Sequence, residues 1–415
     1  LQLTAPSLQN LHSLQAGRID FIPYQFRPVL KFIRADRPRL LLADEVGVGK
    51  TIEAGLLLRE LQARRPLRSV LIVCSKALIV EQKWQKEMRR FDEEFTALGS
   101  ADLRYCIDQT DLEGEWPDRF SRAIIPFSLF NETTLTGGGR GRGVSPGLLT
   151  LETPPRFDLL IVDEAHNARN TDTNLHQGLR LLADNAEAVV LITATPVQLG
   201  SDDLFSMLNL LRPDLVIDRP TFQRMAEPNP MINEAVAAIR AGVEGWQSEA
   251  RQALQAAAQT DWGRSILAAS PEFQRVSQDL LTAVGDEARV RLVHRTEALH
   301  SFASMINRTR RRDIGDFTTR KPQTVETAFT EAQEQLHTGV LAAQARILSR
   351  IHGGGPLGFL MSTIRRQAAS SLHGLAPFME EILTRRLVEI DGDELDDGTG
   401  KLSDEVADQL SEEIE

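Results

Sequence analysis

Four short apolar runs, each ending at a polar or small residue, dominate the hydrophobic pattern of the first 200 residues. They are residues 39–44 (RLLLAD), 69–74 (SVLIVC), 158–163 (DLLIVD) and 188–193 (AVVLIT). Continuous rather than alternating apolar positions are typical of parallel strands that are buried on both faces. Two weaker strands, over residues 103–107 and 122–125, are expected to extend the same sheet.

Helical patterns follow three of these runs, over residues 50–65, 77–90 and 202–211. Pro66 and Pro213 end the first and the third of them, because proline cannot continue a helix. Strands that alternate with helices predict an α/β fold, in which helices flank both faces of an open, mostly parallel sheet.

The composition changes beyond residue 220, since residues 231–305 hold fifteen alanines and one proline, which favours several helices. An α-helical region is therefore predicted to be appended to the sheet. The predicted segments are a sheet-containing lobe over 1–220 with a glycine-rich loop at 136–147, a helical region over 221–305, a basic linker over 306–330, a helical segment over 331–390 and an acidic tail over 391–415.

The net charge of −11 is concentrated in the predicted tail, which alone carries −10. The rest of the chain is nearly neutral, so its basic stretches can still meet phosphates, and the charge excludes no class of partner. Two cysteines are too few for a disulfide framework or a zinc site, and no apolar run reaches the ~18 residues of a membrane span. We expect a cytoplasmic protein.

Residues 43–51 (ADEVGVGKT) lie between the first predicted strand and its helix. Glycines let backbone N–H groups approach a phosphate, and a helix start adds its positive dipole end. Lys50 is expected to reach the β- and γ-phosphates, and Thr51 to bind Mg²⁺. The strict phosphate-loop pattern has glycine where this chain has Asp44, so this string alone leaves a plain glycine-rich turn as an alternative.

Two further polar strings follow the third and fourth strands: Asp163-Glu164-Ala165-His166 (DEAH) and residues 193–196 (TATP). Transfer of a phosphoryl group to water needs one carboxylate to hold Mg²⁺ and a second group to orient or deprotonate the water. Asp163 fits the first role and Glu164 the second. The hydroxyls of Thr193 and Thr195 are placed to hydrogen-bond toward a γ-phosphate or the DEAH carboxylates. Each string is weak alone, but together they mark one edge of a sheet.

The ordered series GxGKT, DEAH and TATP resembles the first RecA-like lobe of superfamily 2 helicases and translocases, which is a P-loop NTPase fold. Residues 71–87 resemble motif Ia of the Swi/Snf family, and residues 305–321 resemble its arginine-rich segment between two lobes. Residues 194–214 resemble the segment after motif III, especially in the bacterial RNA-polymerase-associated (RapA/HepA-like) branch. The resemblance is close over residues 20–215 and loose over 305–375.

The resemblance implies a role for each matching residue, with ATP and Mg²⁺ as cofactors. The implied residues are Gln25 for the adenine edge, Gly47, Gly49, Lys50 and Thr51 for the phosphates and the metal, Asp163 and Glu164 for Mg²⁺ and water, and His166, Thr193 and Thr195 for coupling to the next domain. The family moves along double-stranded DNA without separating its strands. Nothing after residue 321 matches the arginine motif of the second lobe, so we expect that lobe to lie outside this chain.

Two local features keep alternative interpretations. Arg310, Arg311 and Arg312 are candidate contacts to DNA phosphates, and a solvated linker is an equally good explanation. Trp84 is a candidate for stacking on a base, although packing of its helix onto the sheet is favoured.

Two functions of different classes follow. The first is an ATP-binding motor lobe of a Swi/Snf-type translocase, which hydrolyses ATP to move on or remodel DNA–protein complexes. The alternative is a nucleotide-gated interaction module that switches contact with a protein, such as RNA polymerase or a defence complex, without translocation. DNA-stimulated ATP turnover distinguishes the two.

Overall fold

The computed structural model describes residues 11, 13, 22–45, 47–138, 145–193, 201–309, 330, 331 and 335. Among these residues one sheet is formed by seven strands, which are β1 (Arg39–Leu42), β2 (Val70–Cys74), β3 (Thr96–Ala97), β4 (Arg122–Pro126), β5 (Phe157–Val162), β6 (Ala186–Ile192) and β7 (Ile306–Asn307). Their order is β3-β4-β2-β5-β6-β1-β7, and all neighbours run parallel. The α/β fold class, the four strong strands and the strand at residues 122–125 are confirmed.

In the described part of the chain, eight helices lie before residue 212, of which the first precedes β1 and the others follow it along the chain. They are α1 (Arg27–Arg34), α2 (Lys50–Arg64), α3 (Lys76–Val80), α4 (Lys83–Arg89), α5 (Ser100–Glu113), α6 (Glu132–Thr136), α7 (Asn174–Asp184) and α8 (Ser201–Leu211). Alternate residues of each central strand belong to different cores, with Leu40 and Leu42 of β1 in one and Leu41 in the other. This two-sided burial explains why the strands are continuously apolar in sequence.

The alanine-rich region is helical, as predicted. Its helices are α9 (Arg219–Ala226), α10 (Asn229–Ala241), α11 (Trp246–Gln259), α12 (Pro271–Thr282) and α13 (Asp286–Glu297), with a π-helical turn at Gly263–Leu267. α10 to α13 share a core of their own, formed around Ile232, Leu254 and Val276. The chain then returns to the sheet, because β7, the first two residues of the predicted basic linker, pairs with β1.

Two predictions of local structure are wrong. Residues 103–107 were expected to form a strand, but they lie inside α5. Leu103, Cys106 and Ile107 are buried at helical spacing, and Gly114 ends the helix with φ +76°. The predicted single helix over residues 77–90 is divided into α3 and α4, because Gln82 between them has a left-handed backbone, φ +54°.

The compact unit that contains the sheet spans Leu1–Thr318, and a second unit spans Thr319–Glu415. In the part of the chain that the structure describes, no helix combines the length and the apolar character needed to cross a membrane. Gly138 pairs with Ser145 at the base of the glycine-rich loop, and residues 139–144 lie outside the described residues. The boundaries of the predicted segments remain predictions.

Candidate active site

The first residues of the three predicted motifs lie at one edge of the sheet. β5, β6 and β1 are consecutive neighbours in the sheet, and their carboxyl ends lead directly into Asp163, Thr193 and Ala43. Since all three strands are parallel, these ends lie on the same edge, where ligands bind in open α/β sheets. The sequence series therefore corresponds to one location in the fold.

The phosphate loop has the backbone that its glycines allow. Gly47 and Gly49 have left-handed backbones, with φ +86° and +100°, and Lys50 begins α2 directly afterwards. A Cβ atom at Gly49 would lie 2.4 Å from Nε2 of Gln25, so a larger residue there would displace that amide and would also be strained by the φ of +100°. The loop thus presents the start of a helix of 15 residues toward the site.

The amine of Lys50 is held within this loop. Its Nζ donates to the backbone carbonyls of Asp44 (2.9 Å) and Glu45 (3.3 Å). Burial lowers the pKa of Lys50, and the carboxylates of Asp44, Glu164 and Asp163 oppose that shift. A cation held by two neutral carbonyls, with acidic groups nearby, can exchange those contacts for the stronger charge-assisted bonds of a phosphate.

Gln25 also packs against the phosphate loop. It is buried, and its Nε2 donates to the carbonyl of Val48 at 3.0 Å, while the hydroxyl of Tyr24 donates to the same oxygen at 3.1 Å. Gln25 therefore contacts the phosphate loop directly. Its predicted contact with an adenine edge remains a prediction.

Asp163 is a buried carboxylate with one donor on each oxygen. Oδ1 accepts the backbone N–H of Glu164 at 2.9 Å, and Oδ2 accepts the indole N–H of Trp84 at 3.0 Å. Burial and the charge of Glu164 raise the pKa of Asp163, and the bond from Trp84 opposes the rise. Trp84 itself is fully buried, so it packs on the sheet, as favoured, and has no face to offer a base.

Glu164 has an uncommon backbone. Its φ of +52° and ψ of +46° lie in the left-handed region, which costs a residue with a side chain of order 1 kcal/mol or more and is concentrated at functional sites. Its Oε2 lies 3.3 Å from Nδ1 of His166, and the same ring nitrogen lies 3.4 Å from Oγ1 of Thr193. The end of β6 is therefore connected to the DEAH carboxylate through His166.

A second buried acidic cluster lies behind the loop. Asp44 is fully buried, and its carboxylate accepts the backbone N–H of Thr309 at 2.5 Å and the side-chain amide of Asn307 at 3.2 Å. Glu53, on α2, is also fully buried, and its carboxyl group lies beside that of Asp44. Burial and the neighbouring Asp44 raise the pKa of Glu53 well above its ordinary value.

The donors at this edge suit Mg²⁺. Asp163 supplies carboxylate oxygen, and Thr51, a half-buried residue in the first turn of α2, supplies a hydroxyl oxygen. Within the described ranges no three His, Cys, Asp or Glu side chains form a cage for a metal ion. A few protein oxygens, completed by phosphates and water, are the usual way in which proteins bind Mg²⁺.

Four predicted site residues, Thr195 and Arg310 to Arg312, lie outside the described residues. Two contacts were not predicted, the bond from Trp84 to Asp163 and the link from Asp44 to Asn307 and Thr309, and neither was the burial of Glu53. Asp44 did carry a signal, because it replaces the glycine of the strict motif. The partners of the other contacts are far apart in sequence, so no sequence signal pointed to them.

Two family models match the chain. The model described as "SNF2-related domain" matches residues 151–347, and the model described as "Type III restriction enzyme, res subunit" matches residues 18–198. Together they span both the phosphate loop and the DEAH string. The class that the fold and these matches define is the helicase-type ATPases of superfamily 2.

Sequence relatives narrow this class. The RNA polymerase-associated protein RapA of Vibrio atlanticus (strain LGP32) is 28% identical over 355 residues, which cover 83% of this chain and 34% of that protein. RapA of Haemophilus influenzae (strain ATCC 51907 / DSM 11121 / KW20 / Rd) is 34% identical over 228 residues, which cover 54% and 23%. The chain contains a Swi/Snf-family helicase lobe close to RapA, and the predicted resemblance is confirmed. This chain spans about a third or less of the length of these relatives.

A solved structure described as the Sulfolobus solfataricus SWI2/SNF2 ATPase core in complex with dsDNA aligns with 92% of this chain and 67% of that one. The identity is 14% and the TM-score is 0.42. The strand order and register described above define the fold independently of this alignment.

Proposed function

We propose that the chain is the ATP-binding lobe of a cytoplasmic, Swi/Snf-type motor that hydrolyses ATP to move on double-stranded DNA or to remodel DNA–protein complexes. The observation that carries the proposal is the convergence of three motifs at one sheet edge, with the amine of Lys50 inside a left-handed glycine loop and the carboxylates of Asp163 and Glu164 close enough to influence it.

Each residue then has a defined task. Lys50 and the N–H groups of the loop bind the β- and γ-phosphates, and Thr51 and Asp163 hold Mg²⁺, which offsets the phosphate charge when it is bound. Glu164 orients a water molecule and accepts its proton. Gln25 contacts the adenine, and His166 with Thr193 passes the state of the site to the edge of β6.

The proposed partner is double-stranded DNA, with Arg310, Arg311 and Arg312 as candidate phosphate contacts. The Sulfolobus solfataricus structure is a complex with double-stranded DNA, and RapA is named as associated with RNA polymerase. The second description motivates an alternative, in which nucleotide binding switches contact with a protein partner such as RNA polymerase or a defence complex, without translocation.

We further propose that a second RecA-like lobe completes the site. All the groups assigned above approach the nucleotide from one lobe. In related phosphoryl-transfer enzymes an arginine from a facing element raises the rate by ~10³–10⁵. The 415-residue chain alone should therefore bind ATP with Mg²⁺ weakly and hydrolyse it near the background rate.

A steady-state phosphate-release assay tests this, run on the chain with and without duplex DNA and with a second lobe, joined or in trans. Turnover that needs both the second lobe and DNA supports the motor. ATP binding without any stimulation by DNA supports the interaction module. DNA-stimulated turnover of about 1 s⁻¹ or more by the chain alone contradicts the need for a second lobe.

A further inference from the structure

Trp84, on α4, contacts the carboxylate of Asp163, which is assigned to Mg²⁺. Its ring is fully buried, and its indole N–H donates to Oδ2 of Asp163, 79 positions along the chain, at 3.0 Å. A buried indole needs an acceptor, and backbone carbonyls are the commonest ones available. Here the acceptor is a side chain in the proposed active site.

The two hydrogen-bond donors to Asp163 hold its carboxylate relative to different parts of the lobe. The N–H of Glu164 belongs to the next residue, so it moves with the same turn and sets the carboxylate only relative to its own backbone. Trp84 belongs to α4 and sets the carboxylate relative to the rest of the lobe. Among the described residues these are the two hydrogen bonds that the carboxylate accepts, one on each oxygen.

α4 is in turn packed against α2, the helix that begins with Lys50 and Thr51. Phe91, just after α4, lies so close to α2 that a Cβ atom at Gly55 would be 2.2 Å from its ring. Trp84 therefore connects Asp163, which directly follows β5, to the helix that carries Thr51. The two residues assigned to the metal lie on different elements, and this contact is a packed connection between them.

We propose that Trp84 is a positioning residue for Mg²⁺, which holds Oδ2 of Asp163 so that the remaining lone pairs of the carboxylate face the metal and the phosphates. The proposal deepens the proposed nucleotide function and rests on it. Donors to a ligating side chain commonly change metal affinity by ~10–100-fold when they are removed.

A purely structural role makes a different prediction. If Trp84 only fills the core, its loss weakens the fold and leaves the Mg²⁺ dependence of nucleotide binding unchanged. Trp116 provides a matched control, because it is also buried, donates its indole N–H to the carbonyl of Phe120 at 3.0 Å, and packs on Phe157 with ring centroids 5.2 Å apart. Its acceptor has no part in the site.

The experiment compares Trp84→Phe with Trp116→Phe in the full chain. Both replacements keep an aromatic ring and remove one buried N–H. Equilibrium dialysis with radiolabelled ATP gives the affinity in EDTA and then across a Mg²⁺ titration. We expect Trp84→Phe to raise the Mg²⁺ concentration for half-maximal enhancement about tenfold, with the affinity in EDTA unchanged, and Trp116→Phe to match the wild type.

A second readout needs no functional variant. The wild-type chain has four tryptophans, and ¹⁵N-labelling of their indoles gives four N–H signals. Phe replacements of Trp116, Trp246 and Trp262 assign three of these signals, and the fourth belongs to Trp84. Adding Mg²⁺ to the ATP-bound chain should shift the Trp84 signal and leave the Trp116 signal in place. This result supports the proposal even if Trp84→Phe folds poorly.

Equal Mg²⁺ dependence in the two variants, or a Trp84 signal that does not respond to Mg²⁺, overturns the inference while the proposed function stands. A wild-type chain whose ATP binding is absent in every condition contradicts the proposed function itself. The two failures are therefore distinguishable.

Discussion

Asp44 and Asp163 follow two strands of the same sheet, β1 and β5, and both are buried, yet their surroundings differ. Asp44 accepts bonds from Thr309 and Asn307 on the segment of β7, and Glu53 lies beside it. Asp163 accepts one bond on each oxygen, from Trp84 and from Glu164, the carboxylate assigned to the attacking water. One aspartate holds strands together, and the other keeps capacity for a ligand.

The difference shows why burial and a raised pKa do not by themselves identify an active-site carboxylate. Both groups have raised pKa values, with burial as the first cause. Donors from the segment of β7 occupy Asp44, whereas Asp163 accepts one bond on each oxygen, from Trp84 and from the N–H of Glu164. The identity of the donors, rather than the size of the shift, separates a structural role from a functional one.

The largest effect is expected from removing the acceptor at Asp44. Asp44→Ala leaves the N–H of Thr309 and the amide of Asn307 buried without partners. Even after the relief of its repulsion with Glu53, the free energy of unfolding should fall by about 3 kcal/mol. Asp163→Ala should cost about 1 kcal/mol, because the loss of the acceptor for Trp84 is partly offset by removing a like charge beside Glu164. Guanidinium unfolding followed by circular dichroism measures both.

In a binding experiment, Asp163→Ala should have the larger effect of these two variants. Asp163→Ala removes the Mg²⁺ dependence of ATP binding, and the fraction of Asp44→Ala that folds keeps it. If Asp163→Ala is the more destabilising change, or if the two variants bind alike, the contrast between the two strand ends does not hold.

Most of the sheet could be predicted because its strands are buried on both faces, and a run such as LLIVD has few other uses in a soluble protein. The wrong prediction of a strand at residues 103–107 has the same cause, because an apolar run was interpreted as a buried strand. LRYCI has the apolar composition of a strand, and only the burial of Leu103, Cys106 and Ile107 on one side reveals a helix. The break at Gln82 depends on a single left-handed residue that no local pattern marks.

The ligand-facing residues could also be predicted, since Lys50, Asp163 and Glu164 occur in strings whose spacing the chemistry dictates. The groups that hold them could not. Trp84 contacts Asp163, and Asn307 contacts Asp44, only because the sheet order brings distant segments together. Contacts of this kind arise from tertiary structure and leave no periodic trace in the sequence.

A smaller effect is expected at His300, which precedes β7, the strand whose segment contacts Asp44. Burial and the charges of Arg308 and Lys31 lower its pKa to about 4, and its Nδ1 accepts the N–H of Phe302. The folded chain therefore keeps this ring neutral while the unfolded chain takes up a proton below pH 6.5. Stability is complete above that pH and is lost on acidification toward pH 4, by at most about 1.4 kcal/mol per pH unit.

Comparison with His300→Gln isolates this contribution, because other acid-sensitive groups are common to both proteins. The wild type should lose stability relative to the variant between pH 6.5 and pH 4, and ATP binding at pH 7 should be the same in both. A stability difference that is constant with pH would mean that His300 titrates normally.

The central claim is that the loop at Lys50 binds the phosphates of ATP. The most direct measurement is equilibrium dialysis of radiolabelled ATP with Mg²⁺ against the wild type, Lys50→Ala, Glu164→Gln and the exposed control Lys86→Ala. Loss of a charge-assisted contact should weaken ATP binding by Lys50→Ala about 10–100-fold. Glu164→Gln keeps its shape and should bind like the wild type, as should Lys86→Ala. Wild-type affinity in Lys50→Ala would contradict the account.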